Sequence, residues 1–401
     1  MRKGITLLLS MTLLINLSGC ISKTELNQLQ LITAIGLDYA KDGVILHLQV
    51  TNPGGIGTSD NTQSPETNAL PVYTYSYKAK TILKALREAE SNFSRHLFFH
   101  NVGYLVIGER FARDTGLEKM TDFFARFYQI RHNFPVFVAK DTTAQKILSL
   151  YTAIEANPST KLEGQAKNTS GSIGLTEWIE LEQVLDWQFS KTRQVVSYGV
   201  KTREEISEDE EYESSNGNKK TFQLTGLPIF KNAKLVGWYS VRETRAWSFM
   251  QNRTEESIWY IAACPKGKGD IGAMLPKVKT KIIPSIQNGQ LTYTIHVKGK
   301  GILQEITCGY PLSDPATYPK LNQALEKSIE KDMHDTVKRA QKYSSDVLGF
   351  GELLYQEMPQ EFKKREKQWP KNFKQAKVIV KADIRISSPG SRVKSIHEHN
   401  K

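Results

Sequence analysis

Apolar and polar positions alternate from residue 28 to residue 51. Leu29, Leu31, Thr33 and Ile35 share one face, and Val44, Leu46, Leu48 and Val50 share another. Asp42-Gly43 stands between the two runs, so the pattern predicts two strands joined by a turn. Residues 52–70, rich in Gly, Pro, Ser, Thr and Asn, read as a loop, and Val72–Lys78 as a strand. From Lys80 to Phe93 the period changes. Ile82, Leu83, Leu86, Ala89 and Phe93 recur at helical spacing. Val102–Ile107 then reads as a strand, Leu117–Ile130 as a helix, Phe134–Ala139 as a strand and Ala144–Tyr151 as a helix. Pro158–Gly174 is loop-like, Leu175–Phe189 helical, and Val195–Val200 a strand. Strands and helices mix here without a strict βαβ period, which favours an α+β lobe over a doubly wound sheet.

Residues 203–219 break the pattern. Glu204, Glu205, Glu208, Asp209, Glu210, Glu211 and Glu213 form an acidic run, and Ser214–Asn218 carries no apolar residue. The stretch reads equally as an inter-domain linker and as a solvated hairpin tip. Strands follow at Phe222–Phe230 and Leu235–Tyr239, a helix near Val241–Met250 and a strand at Ile258–Ala263. Residues 278–307 alternate around Asn288-Gly289, a hairpin signal. A long C-terminal helix is expected from Lys320 to Val347, with Leu321, Leu325, Ile329, Met333, Val337 and Ala340 on one amphipathic stripe. Gly349 and Gly351 are expected to end it, and Pro370 to stop a second helical segment at Trp369. Val378–Ile386 reads as the last strand.

The N-terminus has a different character. Arg2 and Lys3 precede a mostly apolar run, Ile5–Leu17, and then Leu17-Ser18-Gly19-Cys20. A basic head, a short apolar run and small residues at a cleavage point make a secretory signal. A cysteine at that point makes it a lipoprotein signal, with the Cys20 thiol accepting diacylglycerol. The mature chain is then expected to begin at Cys20 and to sit on the outer face of a cytoplasmic membrane, since two acyl chains give a stable anchor. No later run approaches the roughly 18 apolar residues that a spanning helix needs.

Composition adds three limits. About 380 mature residues suit two or three domains, and 39% hydrophobic content suffices for real cores. The net charge is +12, and losing Arg2 and Lys3 with the signal leaves +10. Such a surface suits an anionic membrane or acidic partner; nucleic acid is not expected outside the cytoplasm. With Cys20 given to lipid, Cys264 and Cys308 remain, as one disulfide or two buried thiols.

The common catalytic templates are missing: no GxSxG, HExxH or phosphate-binding loop occurs. Gly267-Lys268-Gly269-Asp270-Ile271-Gly272 matches GxGxxG, but a strand rather than a helix is expected after it, so it reads as a turn. His96 and His100 have the spacing of two ligands without a third nearby, and no carboxylate pair stands out. Neither cofactor nor metal is expected.

Several blocks, in order, resemble one family, the C subunits of bacterial spore germinant receptors (the Ger(x)C lipoproteins). They are Glu25-Leu26-Asn27 with Ile32–Asp38; Phe93–His100 with Val106–Arg110; Phe230–Trp238 with Glu243-Thr244-Arg245; and Asp346–Gly351 with Trp369, Phe373 and the strand from Val378. Ile21-Ser22 and Ala246 depart from the usual pattern. The resemblance implies a non-enzymatic, lipid-anchored receptor subunit in the spore inner membrane. Its partners would be a receptor A subunit and a polytopic B subunit. Trp238, Arg242 and Arg245 are the candidate partner interface. Trp238 also reads as core, and the two arginines also read as ordinary surface salt bridges. The expected organisation is a signal at 1–19, an α+β lobe at 20–202, the acidic stretch at 203–219, a second α+β lobe at 220–388 and a polar tail at 389–401. Each lobe would carry a mixed sheet with packed helices. The alternative is a solute-binding lipoprotein that captures a nutrient itself.

Overall fold

The computed structural model describes residues 25–52, 72–150, 162, 164, 179–204, 220–253, 258–265 and 268–388. The signal with Cys20, most of the loops expected at 52–70 and 158–174, most of the acidic stretch and the tail from 389 lie outside the described residues. Strands β1 (Leu29–Ala40) and β2 (Gly43–Thr51) pair antiparallel around the Lys41-Asp42 turn, and β3 (Val72–Ala79) extends them. β1 also pairs in parallel with β4 (His96–Phe98) and β5 (Tyr104–Gly108). β6 (Val136–Ala139) and β7 (Tyr198–Glu204) continue in the same direction, and β8 (Lys220–Thr225) returns antiparallel. The result is one mixed eight-stranded sheet in the order β3-β2-β1-β5-β6-β7-β8, with β4 beside β1. Helices α1 (Ile82–Asn92), α2 (Glu118–Arg126), α3 (Ala144–Leu148) and α4 (Leu181–Phe189) connect its strands.

The β7–β8 ladder reaches Glu204↔Lys220. The acidic stretch therefore joins two paired strands, and Lys220–Thr225, although it follows that stretch, belongs to the first sheet.

The hairpin β9 (Pro228–Lys231) and β10 (Lys234–Trp238) turns at Asn232 and Ala233, both left-handed at φ 48° and 64°. Helix α5 (Val241–Met250) follows. A second, four-stranded sheet runs β11 (Ile258–Ala263), β12 (Asp270–Gln287), β13 (Gln290–Ile306) and β14 (Lys377–Ser388). β12 and β13 meet at Asn288-Gly289, with φ of 49° and 78°, as the primed hairpin turns require. Cys264 and Cys308 form a disulfide with Cα atoms 6.1 Å apart, which fixes the choice the sequence left open.

Helix α6 (Thr317–Tyr343) has 27 residues, and Leu321, Leu325, Ile329, Met333, Val337 and Ala340 are its buried apolar side chains. It stops earlier than the glycines suggested. Ser344 takes a left-handed conformation, φ 51°, and its N–H bonds back to Gln341 O. Gly349, φ 75°, opens the next helix rather than closing this one: α7 (Phe350–Glu357), followed by α8 (Pro359–Arg365) and α9 (Trp369–Gln375). Pro370 likewise begins α9, because a proline in the first helical turn removes no needed donor. One continuous set of buried side chains runs from Ile32 in the first sheet through Trp247 to Ile384 in the second.

Candidate functional site

The hairpin β9–β10 ends at Trp238, and the chain turns at Ser240 into α5. Ser240 Oγ accepts the Glu243 N–H at 3.2 Å, and Glu243 Oε2 accepts the Ser240 N–H at 2.7 Å. This reciprocal capping box fixes the first turn of α5. It also aims Arg242 and Arg245 toward α6. Arg242 Nη2 lies 3.0 Å from Asp332 Oδ1. Asp332 Oδ2 accepts the Tyr260 hydroxyl at 2.6 Å, and the Arg245 guanidinium lies 4.7 Å from the centre of the Tyr260 ring. The Glu243 carboxylate pairs with Arg339 of α6. A groove of ≈ 530 Å³ opens above this network, lined by Ser240, Arg242, Asp332, Asp335, Lys338 and Arg339 among others.

Charge in the groove is mostly internally paired. The Asp332 hydrogen bond raises the pKa of Arg242, whose side chain stays 61% exposed. Burial lowers the pKa of Arg245 against the pull of Tyr260 and Asp332. Burial also raises the Tyr260 phenol, and Asp332 beside it adds to the rise. Only Arg242 of the three sequence-predicted residues presents a charge to the groove.

Trp238 is not part of that network. Its indole N–H donates to Glu109 Oε1 at 3.1 Å, and Lys140 Nζ lies 5.4 Å from its ring centre. Glu109 also accepts the Asp141 N–H at 2.7 Å and pairs with Arg113 at 2.6 Å. Burial would raise the Glu109 pKa, but these three donors outweigh it and hold it low. Trp238 therefore ties the hairpin to the first lobe.

Two further nodes were not singled out as sites by the sequence. Asp346 is fully buried between α6 and α7. Its oxygens accept the N–H groups of Phe350 at 3.0 Å and Gly351 at 2.7 Å, and the Trp369 indole at 3.0 Å. Burial pushes its carboxyl up to about 6 in spite of those donors. Beside it, Arg193 from the first lobe bonds Glu352 at 3.2 Å and Gln251 at 2.7 Å. The other node is a Ser–His–Asp array: Ser76 Oγ lies 2.7 Å from His47 Nδ1, and His47 Nε2 lies 3.0 Å from Asp38 Oδ2. Asp38 at the same time caps α3, accepting from Ala144 at 2.9 Å and Gln145 at 3.0 Å. Burial opposes its ionisation, yet His47 and these two N–H groups keep its pKa lowered. The carboxylate is engaged in holding a helix, and His47 meets the serine through Nδ1 rather than the Nε2 of the hydrolase arrangement.

The GxGxxG stretch enters strand β12 at Asp270 and opens no helix. No helix among the described residues is long and apolar enough to cross a membrane.

Comparison with known proteins assigns both lobes. Residues 22–199 match the family described as "Spore germination protein N-terminal domain", and residues 225–390 match "Spore germination B3/ GerAC like, C-terminal". The chain is 29% identical to "Spore germination protein KC" of Bacillus subtilis (strain 168), over 98% of this chain and 97% of that protein. It is 22% identical to "Spore germination protein B3" of the same organism, over 94% and 96%. A solved structure described as "Crystal Structure of the GerBC protein" shares the fold, with a TM-score of 0.55 at 18% identity over 88% of this chain and 96% of that one. With the two family descriptions laid end to end across its lobes, the chain belongs to the GerAC-like, Ger(x)C-type family of spore germination proteins, which are non-catalytic receptor components.

Proposed function

We propose that this protein is a lipid-anchored subunit of a spore nutrient germinant receptor, which works by assembly rather than by turnover. Cys20 would carry diacylglycerol and hold the chain on the outer face of the spore inner membrane. The two lobes would dock on the membrane A and B subunits and couple nutrient binding there to release. Arg242, at the mouth of the α5–α6 groove, is the residue on which we place a partner contact; Trp238 and Arg245 support the surrounding structure.

The observation that carries this reading is the continuous core through both lobes. A protein that captures a nutrient by closing two lobes needs a hinge between them. Here the acidic stretch sits at the end of a ladder paired up to Glu204↔Lys220, and it leads back into the same sheet. A rigid body of this kind suits a scaffold.

The test uses spores. Deleting the gene should abolish loss of refractility with one class of nutrient while leaving the response to calcium dipicolinate, which bypasses the receptors, intact. Cys20→Ala should reproduce the deletion. Normal germination with every nutrient, in a strain also lacking related receptors, would refute the assignment. Micromolar binding of an amino acid or sugar to the isolated protein by calorimetry would favour direct capture instead.

A further inference from the structure

We infer that the edge of the first sheet where β1, β4, β5, β6 and β7 begin lies against the phospholipid bilayer, with tyrosines 73, 75 and 128 at the headgroup level. This rests on the proposed Cys20 anchor and adds the orientation of the body above it.

Three observations lead there. The first is topological. The five strands are mutually parallel, so all begin toward one end of the sheet; β1 and β4 reach furthest there, with His96 opposite Leu29, while β5 begins opposite Ala34 and β6 and β7 begin level with Ile35 and Gly36. β3 starts on that edge too, since Val72 pairs with Thr51 at the end of β2. The second is tether length. Cys20 precedes Glu25 by five residues, which span at most roughly 18 Å when extended. Glu25 leads into β1 through one 3-10 turn, Leu26–Gln28, so the anchor brings this edge, and not the opposite one, next to the membrane.

The third is composition. Tyr73, Tyr75, Tyr128 and Tyr355 are the strongly exposed tyrosines among the described residues, at 42%, 43%, 86% and 59%. Three of the four belong to this edge: Tyr73 and Tyr75 in the first half of β3, and Tyr128 in the connection that enters β6. Exposed Arg95 and Arg131 lie in the connections leading to β4 and β6, with Glu25 and Glu182 as nearby acids. Among the described residues, the opposite edge presents Lys41, Asp42, Lys80 and Asp141, with Leu83 as its exposed aliphatic. Tyrosine, with an apolar ring and a polar tip, is enriched where hydrocarbon meets water. Three such rings at the tethered edge, among the described residues, are what an interfacial belt supplies.

The experiment is spin labelling of the full chain, lipidated at Cys20 and reconstituted in phosphatidylcholine–phosphatidylglycerol vesicles. One label replaces Tyr128 (Tyr128→Cys) and a control replaces Asp42 (Asp42→Cys); both sites are exposed, so neither change disturbs packing. The expected result is at least a threefold shift at position 128, relative to position 42, toward oxygen accessibility and away from a water-soluble nickel complex. If the chain floats with vesicles but both positions are equally open to nickel, the orientation is wrong and the anchor stands. If the chain does not float, the anchor reading fails and this inference with it. Protection at position 128 that appears only after adding the receptor's membrane subunits would mean that a protein, not lipid, covers this edge, and would also overturn the inference.

Discussion

Removing the Asp346 carboxylate by Asp346→Ala should destabilise the protein by an amount that depends on pH in a calculable way. The side chain accepts three buried hydrogen bonds, from the Phe350 and Gly351 amides and the Trp369 indole. A buried donor left without an acceptor costs ~1–3 kcal/mol, so three cost ~6 kcal/mol at the middle of that range. Against this stands the burial of the carboxylate. Its pKa is about 6 in the folded protein and 3.8 when free. The folded state therefore holds the proton more tightly, and the stability conferred is complete below pH 3.8 and lost as pH rises through 6. At ~1.4 kcal/mol per unit the loss is about 3 kcal/mol, of which about 2 kcal/mol falls between pH 4.5 and pH 7.

Alanine has no such titration. The variant should thus lie ~5 kcal/mol below wild type at pH 4.5 and only ~3 kcal/mol below it at pH 7. Urea unfolding of both proteins at the two pH values, with the disulfide intact, measures the difference directly. Two stability curves running parallel between pH 4.5 and pH 7 would show that Asp346 is ionised at its ordinary pKa, and would refute the argument.

Other outcomes follow from the same geometry. The outer edge of β14 is covered by side chains of α6, where Asn322, Glu326 and Glu330 accept the N–H groups of Ile386, Ala382 and Ile384 in a ladder at 2.9–3.1 Å, Glu326 serving Ile384 and Glu330 serving Ala382. Glu326→Ala with Glu330→Ala should speed amide exchange at 382 and 384 and promote self-association by the bared edge, seen by light scattering; unchanged exchange would show that the ladder does not protect it. Opening the Cys264–Cys308 disulfide, which closes a separation of 44 residues, should cost up to about 4 kcal/mol in the chain-entropy account. Reductant should lower the melting temperature of wild type and leave Cys264→Ser with Cys308→Ser unaffected. A double-mutant cycle with Trp238→Phe and Glu109→Ala should give a coupling energy of ~1.5–3 kcal/mol, as for a hydrogen bond to a charged group; zero coupling would remove Trp238 as the tie to the first lobe.

The fold was legible where one periodicity ruled and a turn residue closed it. The β1–β2 pair, α1, α5 and the β12–β13 hairpin all fall where alternation or helical spacing placed them. β4 escaped because three residues are too short for any period to register. The end of α6 was misplaced because the apolar stripe runs on to the buried Val347, while the chain has already left the helix at Ser344, where no glycine signals the change. Pro370 misled because the sequence does not distinguish a proline that ends a helix from one that starts it. Arg242 and Arg245 could be chosen from their position after a strand, but their partners, Asp332 and Tyr260, lie 90 residues away from Arg242 and 15 from Arg245 in sequence. Asp346 stood in a family-like block, but its buried role could not be read there because its burial depends on Trp369, and on a first-lobe segment far away in the chain.

The sequence blocks that carry the family resemblance are, in the structure, the joints. Asp38, closing the first block, clamps α3 to the sheet. Glu109 of the second block meets Trp238 of the third. Phe230, opening the third, accepts a hydrogen bond from Ser345 Oγ through its carbonyl, and Asp346 of the fourth accepts the Gln194 N–H from the first lobe through its own. Each joint is a buried or half-buried polar contact, costly to leave half-made. Two of these joints, Glu109 with Trp238 and Gln194 with Asp346, cross between the lobes, and they define one relative position of the lobes and penalise others. A displacement imposed at one lobe is then carried to the other as a rigid movement, because packed interiors transmit strain rather than absorb it. In the receptor role proposed above, that stiffness would be the physical property through which a signal passes between partners. Loosening a joint, for instance with Trp238→Ala, should weaken nutrient-triggered germination even where the protein remains folded and present in the spore; full response in such a strain would separate stiffness from function.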